Sequence, residues 1–262
     1  MQFDSYIVSD TKTAFSVPIF DKTNIKIKNN KSFKRFAFTL AETLITLTII
    51  GVVAALTIPN LLNKYTKHTY VVGLKKAYAQ LQHAVKMIPI TEGCSAGDYE
   101  CAGMFEEDGK ATNIDGMDFN GNVEAKQIYL LSKQFKGNKS FLAPTGTYYE
   151  CNYYANNYPC FSAPSAMLFS PYHGDTIFVD INGKKPPNSW GKDIFGFMIT
   201  RTTQNNIPQG TVIPYGSKQH ALYKANNDYY WKDSGKCSPT TIGTWINNHC
   251  TGRVLEEDAM KY

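Results

Sequence analysis

From Phe38 to Ile58 the chain reads FTLAETLITLTIIGVVAALTI, and Glu42 is the sole charge in these 21 residues. As a helix rising about 1.5 Å per residue, the run is roughly 30 Å long, the thickness of a bilayer's hydrocarbon core. The basic residues Lys31, Lys34 and Arg35 lie just before it. Cationic flanks of this kind stay on the cytoplasmic side, so the chain after Ile58 is expected outside the cytoplasm. A carboxylate in apolar surroundings is costly without a cationic partner. A plain membrane anchor or uncleaved signal peptide has no evident use for one at the start of its apolar run.

The order Lys34-Arg35-Phe36-Ala37-Phe38-Thr39-Leu40-Ala41-Glu42 resembles the prepilin cleavage and methylation motif of type IV pilins and type II secretion pseudopilins. The resemblance is close from Lys34 to about Leu62 and looser over the next two dozen residues. It implies that a membrane prepilin peptidase cuts between Ala37 and Phe38 and methylates the new amine of Phe38. Glu42 then stands at the fifth residue of the mature chain. Pro59 falls at mature position 22, where such pilins often carry a helix-bending proline. The family usually has Gly before the cut; Ala37 departs from that pattern but is also small. The implied fold is α+β: a long membrane-spanning helical spine packed on a small antiparallel head with disulfide-closed loops. In an assembled fibre, the Glu42 carboxylate of one subunit would pair with the Phe38 amine of its neighbour and set the axial register.

Residues 1–37 read as a leader. They hold seven Lys or Arg and three Asp, a net charge of +4 against +5 for the whole chain. The basic pI is therefore mostly a leader property, and it does not argue for a nucleic-acid-binding surface. No apolar core of secretory length precedes Ala37.

After the membrane run, Leu74, Tyr78, Leu81, Val85 and Ile88 recur at alternating four- and three-residue spacing, with Ala77 and Ala84 beside them. This pattern predicts a helix with one face on a head and the other wet. Lys64, Lys67, Lys75, Lys76 and Lys86 fall mainly on the other side, Gly73 is expected to loosen the helix, and Pro89 to stop it. The organisation is then a leader over 1–37, a transmembrane half of the spine over 38–58, an amphipathic half over 59–89, and an extracytoplasmic head over 90–262. His68 and His83 on the spine are expected to be solvated or partly packed.

Within the head, Val123 to Phe135 is a candidate helix. Ala166–Ser170, Thr176–Ile181, Phe195–Thr200 and Thr211–Tyr215 are candidate strands, rich in β-branched and aromatic residues and bounded by turn formers. All six cysteines follow the spine: Cys94, Cys101, Cys151, Cys160, Cys237 and Cys250. An even count confined to the exported part fits an oxidising compartment. Proximity favours three local bridges, Cys94–Cys101, Cys151–Cys160 and Cys237–Cys250. The gaps of six, eight and twelve residues are wider than zinc sites favour.

Asp180, Asn182 and Asp193 offer oxygen donors on a Gly- and Pro-bent loop, and some pseudopilins of the resembled family bind calcium in such a loop. Calcium takes six to eight oxygen ligands, whereas Lys184, Lys185 and Lys192 would repel it, and an ordinary turn is the stronger reading. No cofactor is otherwise implied. Catalytic signatures are absent: no nucleophile elbow, phosphate loop, dinucleotide fingerprint or His-Glu-x-x-His. His173, His220 and His249 are expected on the surface. Tyr148, Tyr149, Tyr153, Tyr154, Tyr158, Tyr229, Tyr230 and Trp231 are expected to fill the head rather than line a glycan- or fibre-binding face.

Two function classes compete. The first is a structural subunit, not an enzyme, that assembles from the bacterial inner membrane into a type IV pilus or type II secretion pseudopilus. Its partners would be further copies of itself and related pilins or pseudopilins, the prepilin peptidase, an inner-membrane assembly platform and the lipid bilayer. The second is a membrane-anchored extracytoplasmic binding module or enzyme carrying a prepilin-like leader.

Overall fold

The computed structural model describes residues 39–105, 113–114, 117–118, 123–135, 150–151, 158–172, 174–183, 185–241 and 249–262. Helix α1, Leu40–Thr91, is a single element of 52 residues. It runs through Pro59 and Pro89 alike, so the expected stop at Pro89 is corrected. A proline removes one helical hydrogen bond, and here Ile88 and Pro89 are both buried in the head, which holds the last turn in place. The helix ends instead at Gly93, whose φ of 79° is left-handed. Gly93 N donates to Ile90 O at 3.2 Å and Cys94 N to Pro89 O at 2.8 Å, the paired bonds of a Schellman motif. Glycine adopts that φ without a Cβ penalty.

The head is built on a five-stranded antiparallel meander, β5 Phe161–Ser162, β6 Leu168–Tyr172, β7 Thr176–Asp180, β8 Ile194–Ile199 and β9 Val212–Pro214, in that spatial order. The last four coincide closely with the four strands read from sequence. In register, Ile177 faces Phe197 and Val179 faces Phe195. These residues share one core with Leu74, Ala77, Leu81, Ala84, Val85 and Ile88 of α1, the face that the heptad-like spacing predicted. Tyr78 stacks on Phe197 with ring centres 5.5 Å apart. The alternate residues point the other way: Phe178 and Ile194 pack with Trp190, and Met198 packs with Ile207, Ile213 and Tyr223. Both faces of β7 and β8 are therefore covered, which is why they read as continuous apolar runs rather than alternating ones.

Gly73 does not loosen the helix. A Cβ at this position would collide with Ile181 Cγ2, in the bend just after β7. The glycine is there to let α1 approach the sheet closely.

Helix α2, Val123–Lys133, buries Ile128, Leu130 and Leu131. It is tied to the end of α1 by Lys133 Nζ to Glu92 Oε1 at 2.6 Å and Gln134 Nε2 to Thr91 Oγ1 at 2.9 Å. Phe135 beyond it packs against Phe161 and Phe169, each with ring centres 5.0 Å away. Two short pairs, β1 Asn113–Ile114 with β2 Met117–Asp118 and β3 Glu150–Cys151 with β4 Tyr158–Pro159, lie outside the main sheet and were not anticipated.

Beyond β9, where no helix or strand was read from sequence, the chain carries helices α3 Lys218–Lys224, α4 Trp231–Ser234 and α5 Cys250–Glu257. Ser217 caps α3 by accepting from His220 N. The start of α5 is pinned to the sheet: Gly252 N donates to Tyr215 O at 2.7 Å and Gly196 N to Thr251 Oγ1 at 2.9 Å. Tyr262 donates its hydroxyl to Gly191 O at 2.6 Å, and Lys67 Nζ of α1 reaches Tyr262 O at 2.8 Å.

Two of the expected bridges are present, Cys94–Cys101 with Cα atoms 6.0 Å apart and Cys237–Cys250 with Cα atoms 5.0 Å apart. Cys160 is also disulfide-bonded; the side chain of its expected partner Cys151 lies outside the described residues. Loops this short stabilise by about 2–3 kcal/mol each through the entropy of the unfolded chain. The first locks the chain immediately after α1, and the second fixes α5 at its first residue.

Candidate membrane and assembly segment

The start of α1 is organised by Thr39 and Glu42. Thr39 N donates to Glu42 Oε2 at 2.8 Å, Thr39 Oγ1 donates to the same oxygen at 2.9 Å, and Glu42 N donates to Thr39 Oγ1 at 3.2 Å. This is a capping box, in which two of the helix's orphan N–H groups are satisfied reciprocally. Its signature, Thr-x-x-Glu before an apolar run, is legible at Thr39-Leu40-Ala41-Glu42 but was passed over. The box gives the lone acid a local role that needs no second molecule.

From Leu40 onward the apolar side chains lie open. Leu44 is 58% exposed, Leu47 65%, Ile50 63% and Leu56 69%. The helix is long and apolar enough to cross a membrane, with a mean hydropathy of 2.1 over a window that has no buried share. Its hydroxyls are satisfied within the helix: Thr43 Oγ1 donates to Leu40 O, Thr46 Oγ1 to Thr43 O and Thr48 Oγ1 to Leu44 O, at 2.8, 3.0 and 2.8 Å. Such back-bonding is what a hydroxyl needs where no water is at hand. Pro59 stands inside the helix and has no N–H to offer Ala55. Ala37 and Phe38, the expected cleavage and methylation residues, lie outside the described residues.

No family model matches the chain, and no curated protein or solved structure matches it significantly. The functional reading therefore rests on the residues themselves.

The oxygen donors proposed for calcium are brought into one loop. Asp193 is fully buried and accepts Asn188 N at 2.8 Å and Ser189 N at 2.6 Å, one on each carboxylate oxygen. Asp180 Oδ1 accepts Asn182 N at 3.1 Å. With its amide nitrogen turned inward, Asn188 donates to Asp180 Oδ2 at 3.1 Å. Asn182 Nδ2 donates to Tyr70 OH of α1 at 3.1 Å and to Pro186 O at 3.3 Å. The three residues stitch a tight connection between β7 and β8 and fasten it to the spine. Among the described residues, no group of three or more His, Cys, Asp or Glu side chains converges as a metal site would require.

His220 and His249 are not on the surface, as expected, but buried at 0% and 5% exposure. His173 lies outside the described residues. The two rings meet edge to face at 5.8 Å, with Tyr215 and Tyr229 packed around them. Burial holds His220 down to about 3 and His249 down to about 4, helped for His220 by His249, Lys224 and Lys236, and for His249 by Lys236. Both rings are therefore neutral at pH 7. Gly216 N donates to His220 Nδ1 at 3.2 Å, so the neutral ring carries its proton on Nε2 and offers no lone pair there. The pair is part of the core that seats α5, a role its loop-like sequence context concealed.

Tyr229, Tyr230 and Trp231 are half-buried rather than core-filling. The Glu256 carboxylate accepts Trp231 Nε1 at 2.6 Å, Lys232 Nζ at 2.9 Å and Tyr230 OH at 3.0 Å. Lys232, with Trp231 and Tyr230, holds this carboxyl below its usual range. Arg253 lies 4.9 Å from the centre of the Trp231 ring. The group clasps α4 to α5. The other five aromatics singled out, Tyr148, Tyr149, Tyr153, Tyr154 and Tyr158, have side chains outside the described residues.

Proposed function

We propose that the chain is a fibre-forming subunit of the type IV pilin or type II secretion pseudopilin kind. In this reading, prepilin peptidase removes residues 1–37 and methylates Phe38. The mature protein is held in the bacterial inner membrane by the apolar half of α1, with its head outside the cytoplasm. Further copies, delivered through an inner-membrane assembly platform, replace lipid around that half as the fibre grows. The observation that carries the proposal is the continuity of α1. One helix presents an uncovered apolar surface over its first half and becomes the central core element of the head over its second. A separable anchor would be expected to have a linker between the two; a subunit that packs helix on helix carries its spine on into the head. The disulfides fit an exported head.

A second reading, a head merely anchored to the membrane, draws on the capping box, which gives Glu42 a use without assembly. Glu42→Gln separates the two, because glutamine also serves in a capping box but cannot pair with an amine as an ion. In the assembling reading Glu42→Gln and Glu42→Ala both lower sheared-fibre yield at unchanged membrane abundance. Losing one member of a buried ion pair costs about 3–5 kcal/mol, since the other charge is stranded. Parental fibre yield from Glu42→Gln defeats the register role. Intact mass and N-terminal sequencing of protein from its native membrane test processing: a mature chain still beginning at Met1 removes the basis of the proposal.

A further inference from the structure

On the solvent side of the spine, α1, the end of α2 and the turn after β5 enclose a groove of about 610 Å³ lined by Lys76, Ala79, Gln80, His83, Gln134, Phe135, Pro164 and Ser165. Lys76, Ala79, Gln80 and His83 follow the i, i+3, i+4, i+7 spacing of one helix face. Phe135, Ala79 and Pro164 make its apolar part. Every charged or titratable group in the lining is basic: Lys76 and His83, both exposed. Among the described residues, Lys76 enters no ion pair, whereas its neighbour Lys75 is paired with Asp258. Among the described residues, Gln80 Oε1 and Ser165 Oγ have no hydrogen-bond partner. The groove is equipped to receive a carboxylate beside an apolar group, and none of the described residues that line it supplies one.

A matching surface lies on the same molecule. The loop closed by Cys94–Cys101 carries Asp98 and Glu100, both exposed. Asp98 Oδ1 caps Cys101 N at 3.0 Å, its second oxygen takes no part in that cap, and Glu100 enters no ion pair among the described residues. The disulfide holds these acids in a rigid loop just past the end of α1, so little order has to be gained on docking. From Gln80 to Thr91 the helix rises about 16 Å. Parallel copies offset by roughly that distance along their axes bring the acidic loop of one level with the groove of another.

We infer that the Lys76–His83 groove is a contact site for a second copy of this chain, and that it receives the acidic disulfide loop bearing Asp98 and Glu100. The inference rests on the assembling reading and names a contact that reading does not specify. Its contact is heterologous, loop to groove, and such contacts propagate into open filaments when the rotation does not close.

The test compares full-length parent, Lys76→Glu, Glu100→Lys, the double reversal and Glu42→Ala in the native membrane. It reads sheared-fibre yield against membrane abundance. Lys76 and Glu100 are exposed, so each variant is expected to keep the parental disulfide content. Each single reversal sets like charges against each other and lowers fibre yield about tenfold, and the double reversal returns it to within about twofold. In fibres grown from mixed heavy- and light-isotope subunits, zero-length carbodiimide coupling joins Lys76 of one copy to Glu100 or Asp98 of another. Parental yield from both single variants, an unrescued double variant, coupling within one copy only, or coupling of Lys76 to a different protein overturns the inference. If Glu42→Ala lowers yield while the reversals do not, the groove contact falls and the assembling reading stands. If the parent forms no fibres, the assembling reading falls and takes the contact with it.

Discussion

Between Leu44 and Leu62 helix α1 turns large apolar side chains outward, each with more than half its surface open, whereas Leu74, Leu81, Val85 and Ile88 of the same helix are fully buried. The halves differ in charge, with Glu42 alone in the first and five lysines in the second, and that difference follows what lies against them. The second half has a sheet under it, so its apolar residues are confined to one stripe and Lys75, Lys76 and Lys86 take the other side. The first half has apolar residues all round and satisfies its own hydroxyls, the arrangement a helix adopts when lipid or other helices surround it. One continuous element therefore contains two different solvents' rules. The comparison is testable because both halves contain leucines and a glycine, in opposite surroundings.

The sharpest break should come from leucine truncation. Leu81 has no exposed surface and Leu47 is 65% exposed. Leu81→Ala leaves a cavity in the core that Leu81 shares with the sheet and is expected to destabilise the head by about 2–5 kcal/mol. Leu47→Ala leaves head stability unchanged and weakens only retention in the membrane. Thermal unfolding of the detergent-solubilised protein, followed by an aromatic signal from the head, distinguishes them. Equal losses from both would dissolve the distinction between the halves.

Acid should act on the head and spare the anchor. His220 and His249 have folded values of about 3 and 4, below the ordinary 6.5. The unfolded chain thus binds more protons as pH falls, so stability is fully present above about pH 6.5 and declines from there down through the folded values. Each group removes up to about 1.4 kcal/mol per pH unit over that range. Glu256, held low by Lys232, adds a loss in the same direction at lower pH. His249→Gln is expected to flatten the slope of stability against pH even if it lowers stability at pH 7. An unchanged slope would mean that the ring is reached by water or titrates normally in the fold.

Glycine-to-alanine exchanges probe the same contrast more gently. At Gly51 an added Cβ meets nothing within 4 Å, while at Gly73 it collides with Ile181. Alanine gains up to about 1 kcal/mol of helix propensity at either site. Overpacking costs about 1–3 kcal/mol, and Ile181 is β-branched and stiff, so Gly73→Ala is expected to destabilise the head by a net of about 1 kcal/mol. Gly51→Ala leaves head stability unchanged. A stabilised Gly73→Ala would show that the helix stands off the sheet.

What could be read from the residues follows the same division. The spine and strands β6 to β9 were legible because burial against a regular partner leaves a period: four-and-three spacing for α1, short β-branched runs between turn formers for the sheet. The chain beyond β9 leaves no such trace. Helices α3 and α5 have 7 and 8 residues, too short to show periodicity, and are fixed by a Ser217 cap, the Cys237–Cys250 bridge and the Glu256 clasp. His220 and His249 were misread because their burial comes from ring stacking across distant segments. Gly73 was misread because its role lies in Ile181, more than a hundred positions away. The calcium candidates Asp180, Asn182 and Asp193 illustrate a different ambiguity: oxygen donors in a tight loop serve its own backbone N–H groups as readily as an ion.

The smallest effect concerns the first turn of α1, where one acid carries two readings. Thr39→Ala removes the hydroxyl that accepts Glu42 N and should cost about 1 kcal/mol of local helix stability, the usual worth of an N-cap. It leaves the Glu42 carboxylate in place, and Thr39 N remains available to it as alanine's own N–H. The expected outcome is faster amide exchange confined to the first turn in micelles, with head unfolding unchanged, since the cost falls in a half of the helix that the head does not hold. Fibre yield should stay within about twofold of the parent, because 1 kcal/mol spread over a frayed turn is small beside the 3–5 kcal/mol of a stranded charge. Glu42→Gln is the mirror case, with the cap kept and the charge gone. If Thr39→Ala impairs fibres as severely as Glu42→Gln, the carboxylate acts by ordering the helix start rather than by pairing with a neighbouring amine. The register role would then pass from an ion pair to the capping box itself.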